Sequence, residues 1–536
     1  MFRKGFLLCG FCSLLLLSCE EHDMGVVDTG VNNESIANKD TIIVPHYGTI
    51  DIIIPQQVAS VVNVEGYTAS SFRCRVDMTK EPPLSGGGIS SEWIAIDYKE
   101  DYPLWEPDVN YYNSGQMYHY SETKETYYND NRDKGPVNGA YDGLNNRFLH
   151  YDWPIDKTIK HRGKVKIDIP GYLQATYNAE IRFQGQSTQM WYPKKNFRIT
   201  LYKDESFTKK EKIKIGDLIK LSGYNLKAYY PDPSRLVEPI IYAMIHKVYR
   251  TYDYQERYPW NKSNPPFNGA TGTIKGFPVK LTVNGEFYGV EFFGEKKDKN
   301  NYMLDGSDAS GLFVQGVGYQ PNFWDIYTSS RFEDQMIDED DKDTPWVAGG
   351  TTTQSNDEAL SSFYNYFNNY LERETAEKHF NKNAWIDYMI LLQVFHMFDN
   401  MWNNIILFSD TDKTKFTPFF YDLDMSLYEA YDKPEIDVFS IAGDTYYNKE
   451  TFKGLWLKLK DVWWEDMVSR YKYLRQEVLR MDIINQTVFD IKNGINEYDF
   501  ENEILKWQNA SDDSLTKVLN LIESRLIFCD NYFVVE

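Results

Sequence analysis

Asp399, Asn404, Asp422 and Asp424 are the residues whose types and spacing speak most directly of chemistry. In Asp399-Asn400-Met401-Trp402-Asn403-Asn404 an aspartate is followed at the fifth position by an asparagine. At that spacing a carboxylate can take a hydroxyl proton while an amide oxygen holds a metal ion. Further on, Phe420-Tyr421-Asp422-Leu423-Asp424 ends an apolar stretch with two carboxylates one residue apart, hard oxygen ligands of the kind Mg²⁺ or Mn²⁺ takes. Taken singly, each cluster has a plainer reading, since Asp and Asn also cap helices and close turns. Upstream, Gln184-Gly185-Gln186-Ser187-Thr188 is a glycine and hydroxyl turn between two alternating runs, and such a turn offers backbone N–H groups to phosphate oxygens. Lys194 or Lys195, opening the next run, could set a point charge on those phosphates, although paired lysines also commonly stand in solvent. The order glycine turn, lysine, Asp-x4-Asn, hairpin, Asp ties these clusters into one phosphate-handling constellation.

Elements of two kinds must position these groups. From Lys164 onward Val165, Ile167 and Ile169, then Ile181 and Phe183, then Phe197, Ile199 and Leu201 alternate with polar residues, which predicts half-buried strands. Val279, Leu281 and Val283 run into Asn284-Gly285, the strongest short hairpin signal. Asp232-Pro233-Ser234 precedes apolar residues at helical spacing from Leu236 to Val248, so a capped helix is expected there, kinked at Pro239. The second half reads as mostly helical: a buried apolar segment from Trp385 to Phe398, a hairpin around Ser409 to Lys413, and amphipathic helices over Trp456 to Leu479 and Leu505 to Phe528. Earlier, short β-type runs at 42–44, 50–54, 72–76 and 93–96 predict a small sandwich-like unit, and 101–156 reads as an irregular extension. The expected class is α+β, with a β-rich domain over 41–163 and a main domain over 164–536.

The stretch from about Lys164 to Phe533 resembles the CotH family of atypical, secretory-type protein kinases. The likeness is carried by Arg182 to Trp191 with Pro193-Lys194-Lys195-Asn196-Phe197-Arg198, by Asp232-Pro233-Ser234-Arg235, and by Val283-Asn284-Gly285-Glu286-Phe287-Tyr288-Gly289 followed by Glu295-Lys296. Asp399 to Asn404 and Asp422-Leu423-Asp424 complete it. The resemblance implies a two-lobed kinase-like fold, β-rich first and helical second. It implies Asp399 as catalytic base, Asn404 and Asp422 with Asp424 as metal ligands, Lys195 as the phosphate-contacting catalytic lysine, and Glu295 as its ion-pair partner. Gly185, Ser187, Lys194 and Arg198 would complete the nucleotide site. Where the family's turn reads Arg-Gly-Asn-Ser, this chain has Gln184-Gly185-Gln186-Ser187. The function so implied is metal-dependent transfer of phosphate from ATP to a hydroxyl of a protein or glycan. The alternative is a surface protein using a kinase-like scaffold to bind a glycan or partner protein without catalysis, a reading that the high aromatic content, 16%, also suits.

The composition excludes other classes. With 57 basic and 79 acidic residues the net charge is -22, which repels nucleic acid. No His-Glu-x-x-His, Walker loop or Gly-x-Ser-x-Gly elbow occurs. At the amino terminus Arg3 and Lys4 precede an apolar run from Gly5 to Leu17, shorter than the ~20 residues of a membrane crossing. Leu16-Leu17-Ser18-Cys19 resembles the lipobox of bacterial lipoproteins, so 1–18 is expected to be a signal peptide, Cys19 to be lipidated, and 19–40 to be a tether. An ordinary cleaved signal with a chance cysteine is the other reading. Glu20, Glu21 and Asp23 resemble the acidic signal that sends lipoproteins of Bacteroidetes-type bacteria to the outer face of the outer membrane, and they equally suit a solvated linker. Export, a membrane anchor and a place at the outer membrane or cell surface are therefore expected. Cys74 and Cys529 could pair or stay as buried thiols. His396 is expected to be a hydrogen-bonded core residue, and the acidic run 338–343 a solvated loop.

Overall fold

The computed structural model describes residues 47–54, 160–185, 188, 194–260, 269–304, 311–317, 324, 327–328 and 331–335. It continues with 354–410, 412–427, 434–439, 454–507, 510–511 and 514–533, and with short strands between 72 and 150. After β1 (Thr49–Ile53) come three two-stranded antiparallel ribbons: β2 (Phe72–Val76) with β3 (Trp93–Asp97), β4 (Gln116–Tyr118) with β5 (Asn129–Asn131), and β6 (Gly139–Asp142) with β7 (Arg147–His150). The strands expected at 72–76 and 93–96 are thus present and pair with each other. The expected strand at 42–44 lies outside the described residues.

A closed seven-stranded barrel follows, built from β8 (His161–Ile169), β9 (Leu173–Gln184), β10 (Asn196–Tyr202), β11 (Gly223–Lys227), β12 (Gly276–Val283) and β13 (Glu286–Glu295) together with β1. The order around it is β1-β12-β13-β11-β10-β9-β8, every pairing being antiparallel except β1 with β12. Period-two alternation sorts the two faces. Val165, Ile167 and Ile169 are buried while Lys164 and Lys166 are not, and the registers carry that inner face through Ile50, Ile52, Ile181, Phe183, Phe197, Ile199, Tyr224, Leu226 and Phe293. Closure removes both sheet edges. β1 corrects an expectation: alternation marked it as a strand but could not say which sheet it joins. It inserts between β8 and β12 instead of joining a separate sandwich, and β8 already starts at His161, ahead of the expected boundary at 164. Asn284 fixes the insertion, accepting from Ile54 N at 2.9 Å and donating to Ile54 O at 3.0 Å. Asn284 and Gly285, with φ of 52° and 82°, form the left-handed two-residue turn that their types predict.

Helix α1 (Val237–Tyr249) packs against this barrel. Asp232 opens it, its carboxylate accepting from Ser234 N and Val237 N, both at 2.8 Å. The expected kink is absent. Pro239 stands in the first turn, where the missing N–H had no helical partner to lose. After the short α2 (Tyr254–Arg257), a second antiparallel sheet is formed by β14 (Leu312–Gly316), β15 (Phe332–Asp334), β16 (Ile406–Ser409) and β17 (Phe416–Phe419) in the order β15-β14-β16-β17. The helices α3 (Gln354–Tyr370), α4 (Arg373–His379), α5 (Lys382–Val394), α6 (Gly454–Glu477), α7 (Met481–Asn493), α8 (Glu497–Lys506) and α9 (Ser514–Tyr532) complete the chain. The single stretch expected from Leu505 to Phe528 is in fact two helices, since α8 ends at Lys506 and α9 begins at Ser514. The fold is α+β. No helix among the described residues is long and apolar enough to cross a membrane.

The helical part is cored by aromatics. Tyr388 of α5 stacks on Phe420 at 4.0 Å and near Trp456 of α6 at 5.9 Å, with Trp324 and Trp385 packed beside Trp456. Rigid rings of this kind bury much area at little cost in rotamer freedom. Cys529 of α9 is a free buried thiol, pushed up to about 12 by burial, and the Cys74 side chain lies outside the described residues.

Candidate active site

The aromatic core ends in polar tips that hold the segment 399–404. Trp324 Nε1 and Trp456 Nε1 both donate to Met401 O, at 2.7 and 3.1 Å, and Tyr388 Oη donates to Asn400 O at 2.8 Å. Asn400 Nδ2 in turn donates to Tyr421 O at 2.8 Å, tying this segment to the one that carries Asp422. Asp399 receives Asn404 Nδ2 at 2.7 Å and Asn403 Nδ2 at 3.1 Å. Asn404 and Asp422 both have left-handed backbones, with φ of 62° and 54°.

From the barrel side comes Lys227, the last residue of β11. Its Nζ donates to Asp422 Oδ1 and lies 3.6 Å from Glu238 Oε2, at the start of α1. Glu238 Oε1 accepts from Leu423 N at 3.1 Å, and Tyr242, one turn on, accepts from Asp422 N at 3.0 Å through its hydroxyl. Helix α1 therefore reads both Lys227 and the backbone of 422–423. Burial disfavours the Lys227 charge, but Asp422, Glu238 and Asp424 outweigh it and hold the ammonium well above its ordinary range. The carboxyls answer in the opposite sense. Burial, then the negative charge of Asp422, raises Asp424 well above the usual carboxylate range, and burial raises Glu238.

Among the described residues no group of three or more His, Cys, Asp or Glu side chains is placed to hold a metal ion, so any cation here would rest on a smaller oxygen set. Besides burial, the charges of Asp422, Glu238 and Asp399 raise Asp424, and Lys227 is the one cation among the causes that move it. Glu238 Oε2 is buried without a hydrogen-bond partner. Oxygen ligands with an excess of negative charge are what a hard cation takes. Asp422, Asp424 and Asn404 are the groups that would hold it.

Other expected residues fall elsewhere. Lys194 is fully buried and faces away from this cluster: its Nζ donates to Glu503 Oε1 and Oε2 at 2.9 and 3.0 Å and to Val290 O at 2.8 Å, and lies 3.1 Å from Glu291. It anchors α8 to the barrel. Lys195 lies at the base of the glycine turn, its Nζ donating to Thr188 O at 3.2 Å, and burial pushes it down to about 7. Its expected pairing with Glu295 does not form. Glu295 accepts from Ile219 N at 2.7 Å, Lys275 N at 3.1 Å and Asn301 Nδ2 at 2.8 Å, and burial raises it to about 7. Arg198 donates from Nε to Asn225 Oδ1 at 2.9 Å, on the outer barrel face that Lys227 shares. Gly185 has the left-handed φ of 81° its turn requires, and Asn196 ties that turn to β11, donating to Thr188 Oγ1 at 3.0 Å and accepting from Ala228 N at 2.7 Å. Ser187 and the acidic run 338–343 lie outside the described residues. His396 is buried, as expected, yet neither ring nitrogen has a hydrogen-bond partner, and burial lowers it to about 3.

Sequence reasoning missed Lys227 and Glu238. Counting the strand that enters the glycine turn as the first, Lys227 ends the third strand and Glu238 opens the helix after it, and β9-β10-β11-β13-β12 are neighbours in that order. A lysine on a third strand paired to a glutamate on the following helix is the phosphate-lysine arrangement of protein kinases, and position in that series was the signal available. Residues 181–528 match the family described as CotH kinase protein. The chain belongs to the CotH kinase protein family. The CotH match runs from the end of β9 into α9 and takes in every site residue named above, while β1 to β8 precede it. No curated protein matches the chain.

Proposed function

We propose that this CotH-family chain is a metal-dependent phosphotransferase that moves the terminal phosphate of ATP to a hydroxyl of a protein or glycan. The observation that carries the reading is Lys227, which bridges Glu238 on α1 and Asp422 next to the loop of Asp399. In this reading Lys227 sets a fixed positive charge on the phosphates and α1 positions it through Glu238. Asp399, held by two asparagine amides, accepts the proton of the incoming hydroxyl. When bound, Mg²⁺ or Mn²⁺ supplies neutralisation of phosphate charge at Asp422, Asp424 and Asn404. The glycine turn at Gly185, braced by Asn196, suits contact to the phosphates through backbone N–H groups. The two-lobed reading rests on the same series, with the barrel strands as one side of the site and α5 with its loop as the other.

The test is transfer of labelled phosphate from ATP to the chain itself and to a generic protein acceptor. Asp399→Ala and Asp422→Ala should each lower transfer by at least about 100-fold while near-UV circular dichroism is kept. Unchanged transfer in either variant rejects the role assigned to that aspartate. The lipobox-like Leu-Leu-Ser-Cys supports export and a lipid on Cys19, with a place at the outer membrane or cell surface. Incorporation of labelled palmitate, lost in Cys19→Ala, tests that anchor.

A further inference from the structure

Behind Asp399 three polar side chains stand in line. Lys297, two residues past β13, donates to Gln315 Oε1 on β14, and Gln315 Nε2 donates to Asn404 Oδ1 at 2.8 Å. Asn404 Nδ2 then donates to Asp399 Oδ2 at 2.7 Å. Either amide could be turned end for end without changing its shape, so the groups at the two ends set their polarity. An ammonium has no acceptor and must face an amide oxygen. A carboxylate has no donor and must face an amide N–H. Both ends impose the same sense on the line, and every link pairs a donor with an acceptor. Gln315, Asn404 and Asp399 are 8, 8 and 5% exposed, so a reversed amide would find little water to replace what it lost. Lys297 also lies over the Tyr421 ring at 4.6 Å, next to Asp422, and so touches both segments that carry the site.

Building on the phosphotransferase reading, we propose that Lys297 and Gln315 are positioning residues that turn Asn404 so that its N–H₂ holds Asp399 while its oxygen is kept for a cation. A carbonyl oxygen has two lone pairs, and Gln315 occupies one. Without the line, Asn404 keeps its N–H₂ on Asp399 but loses the second hold, from Gln315, that fixes where its oxygen points. Outer groups of this kind set ligand orientation in metal sites generally.

Electron paramagnetic resonance of free Mn²⁺, titrated into the full chain, reads the effect without an activity assay. Gln315→Met keeps the volume and removes the amide, Lys297→Met removes the charge, and Lys297→Arg keeps a charged donor. Gln315→Met and Lys297→Met should weaken Mn²⁺ binding about 10-fold or more, with Lys297→Arg within about threefold of the natural chain. Matching melting temperatures for the two Lys297 variants show that folding is not the cause, and that pair decides the matter if Gln315→Met does not fold. Natural affinity in Lys297→Met, or equal losses in Lys297→Met and Lys297→Arg, overturns the relay. A natural chain that takes up no Mn²⁺ overturns the functional reading beneath it.

Discussion

Lys227 is the residue on which the two sides of the site meet. It is 7% exposed, with the buried Glu238 and the half-buried Asp422 as its carboxylate partners, so removing it leaves two close carboxylates without their counter-charge. Lys227→Met should cost about 3 to 5 kcal/mol by urea unfolding at neutral pH. His396 makes the opposite case, a buried ring with both nitrogens unpartnered. Replacing it with an apolar ring, His396→Phe, should stabilise the fold by about 1 to 2 kcal/mol, the desolvation cost of such a group. Its folded pKa, about 3, lies below that of the unfolded chain, so the unfolded state binds more protons as pH falls. Stability owed to the neutral ring is complete above about pH 6.5 and is lost progressively as pH drops toward 3. Unfolding curves at pH 7 and pH 5 should differ less for His396→Phe than for the natural chain.

At the scale of elements, α8 closes the barrel with charge. Glu503 binds Lys194 and accepts from Arg235 Nε at 2.8 Å, while a Cβ on Gly289 would come within 2.5 Å of Glu503 Oε2, so a side chain there would displace the ends of the Glu503–Lys194 pair. Burial opposes the Glu503 charge, yet Lys194 and Arg235 outweigh it and hold the carboxyl below its ordinary value. Glu503→Gln should therefore destabilise by about 3 to 5 kcal/mol, leaving two buried cations short of a counter-charge, with the loss read first as faster hydrogen exchange in 497–506. Local patterns made much of this architecture legible: alternation located β8, β9, β10 and β12, Asn284-Gly285 fixed its hairpin, and Asp232 marked the start of α1. What stayed hidden depends on partners distant in the chain. Lys194 and Lys195 are adjacent and chemically alike, and only the approach of Glu503, some three hundred residues on, shows that the first is a barrel anchor. Lys227 had no motif of its own, and β1 had no neighbour in sequence to name its sheet.

For the molecule as a whole, the barrel and the aromatic core hold two short segments, 399–404, which opens with a single 3-10 turn over Asp399–Met401, and 422–424. The net charge of -22 is met within the site by a further concentration of carboxylates, an arrangement that favours a cation before it favours a nucleotide. Metal and ATP should accordingly bind in a dependent way. Calorimetry of the full chain with ATP, run with and without Mn²⁺, tests this most directly. The account predicts ATP binding that requires Mn²⁺ and is lost in Asp422→Ala. ATP heats that are the same with and without the metal, or no binding under either condition, would contradict it.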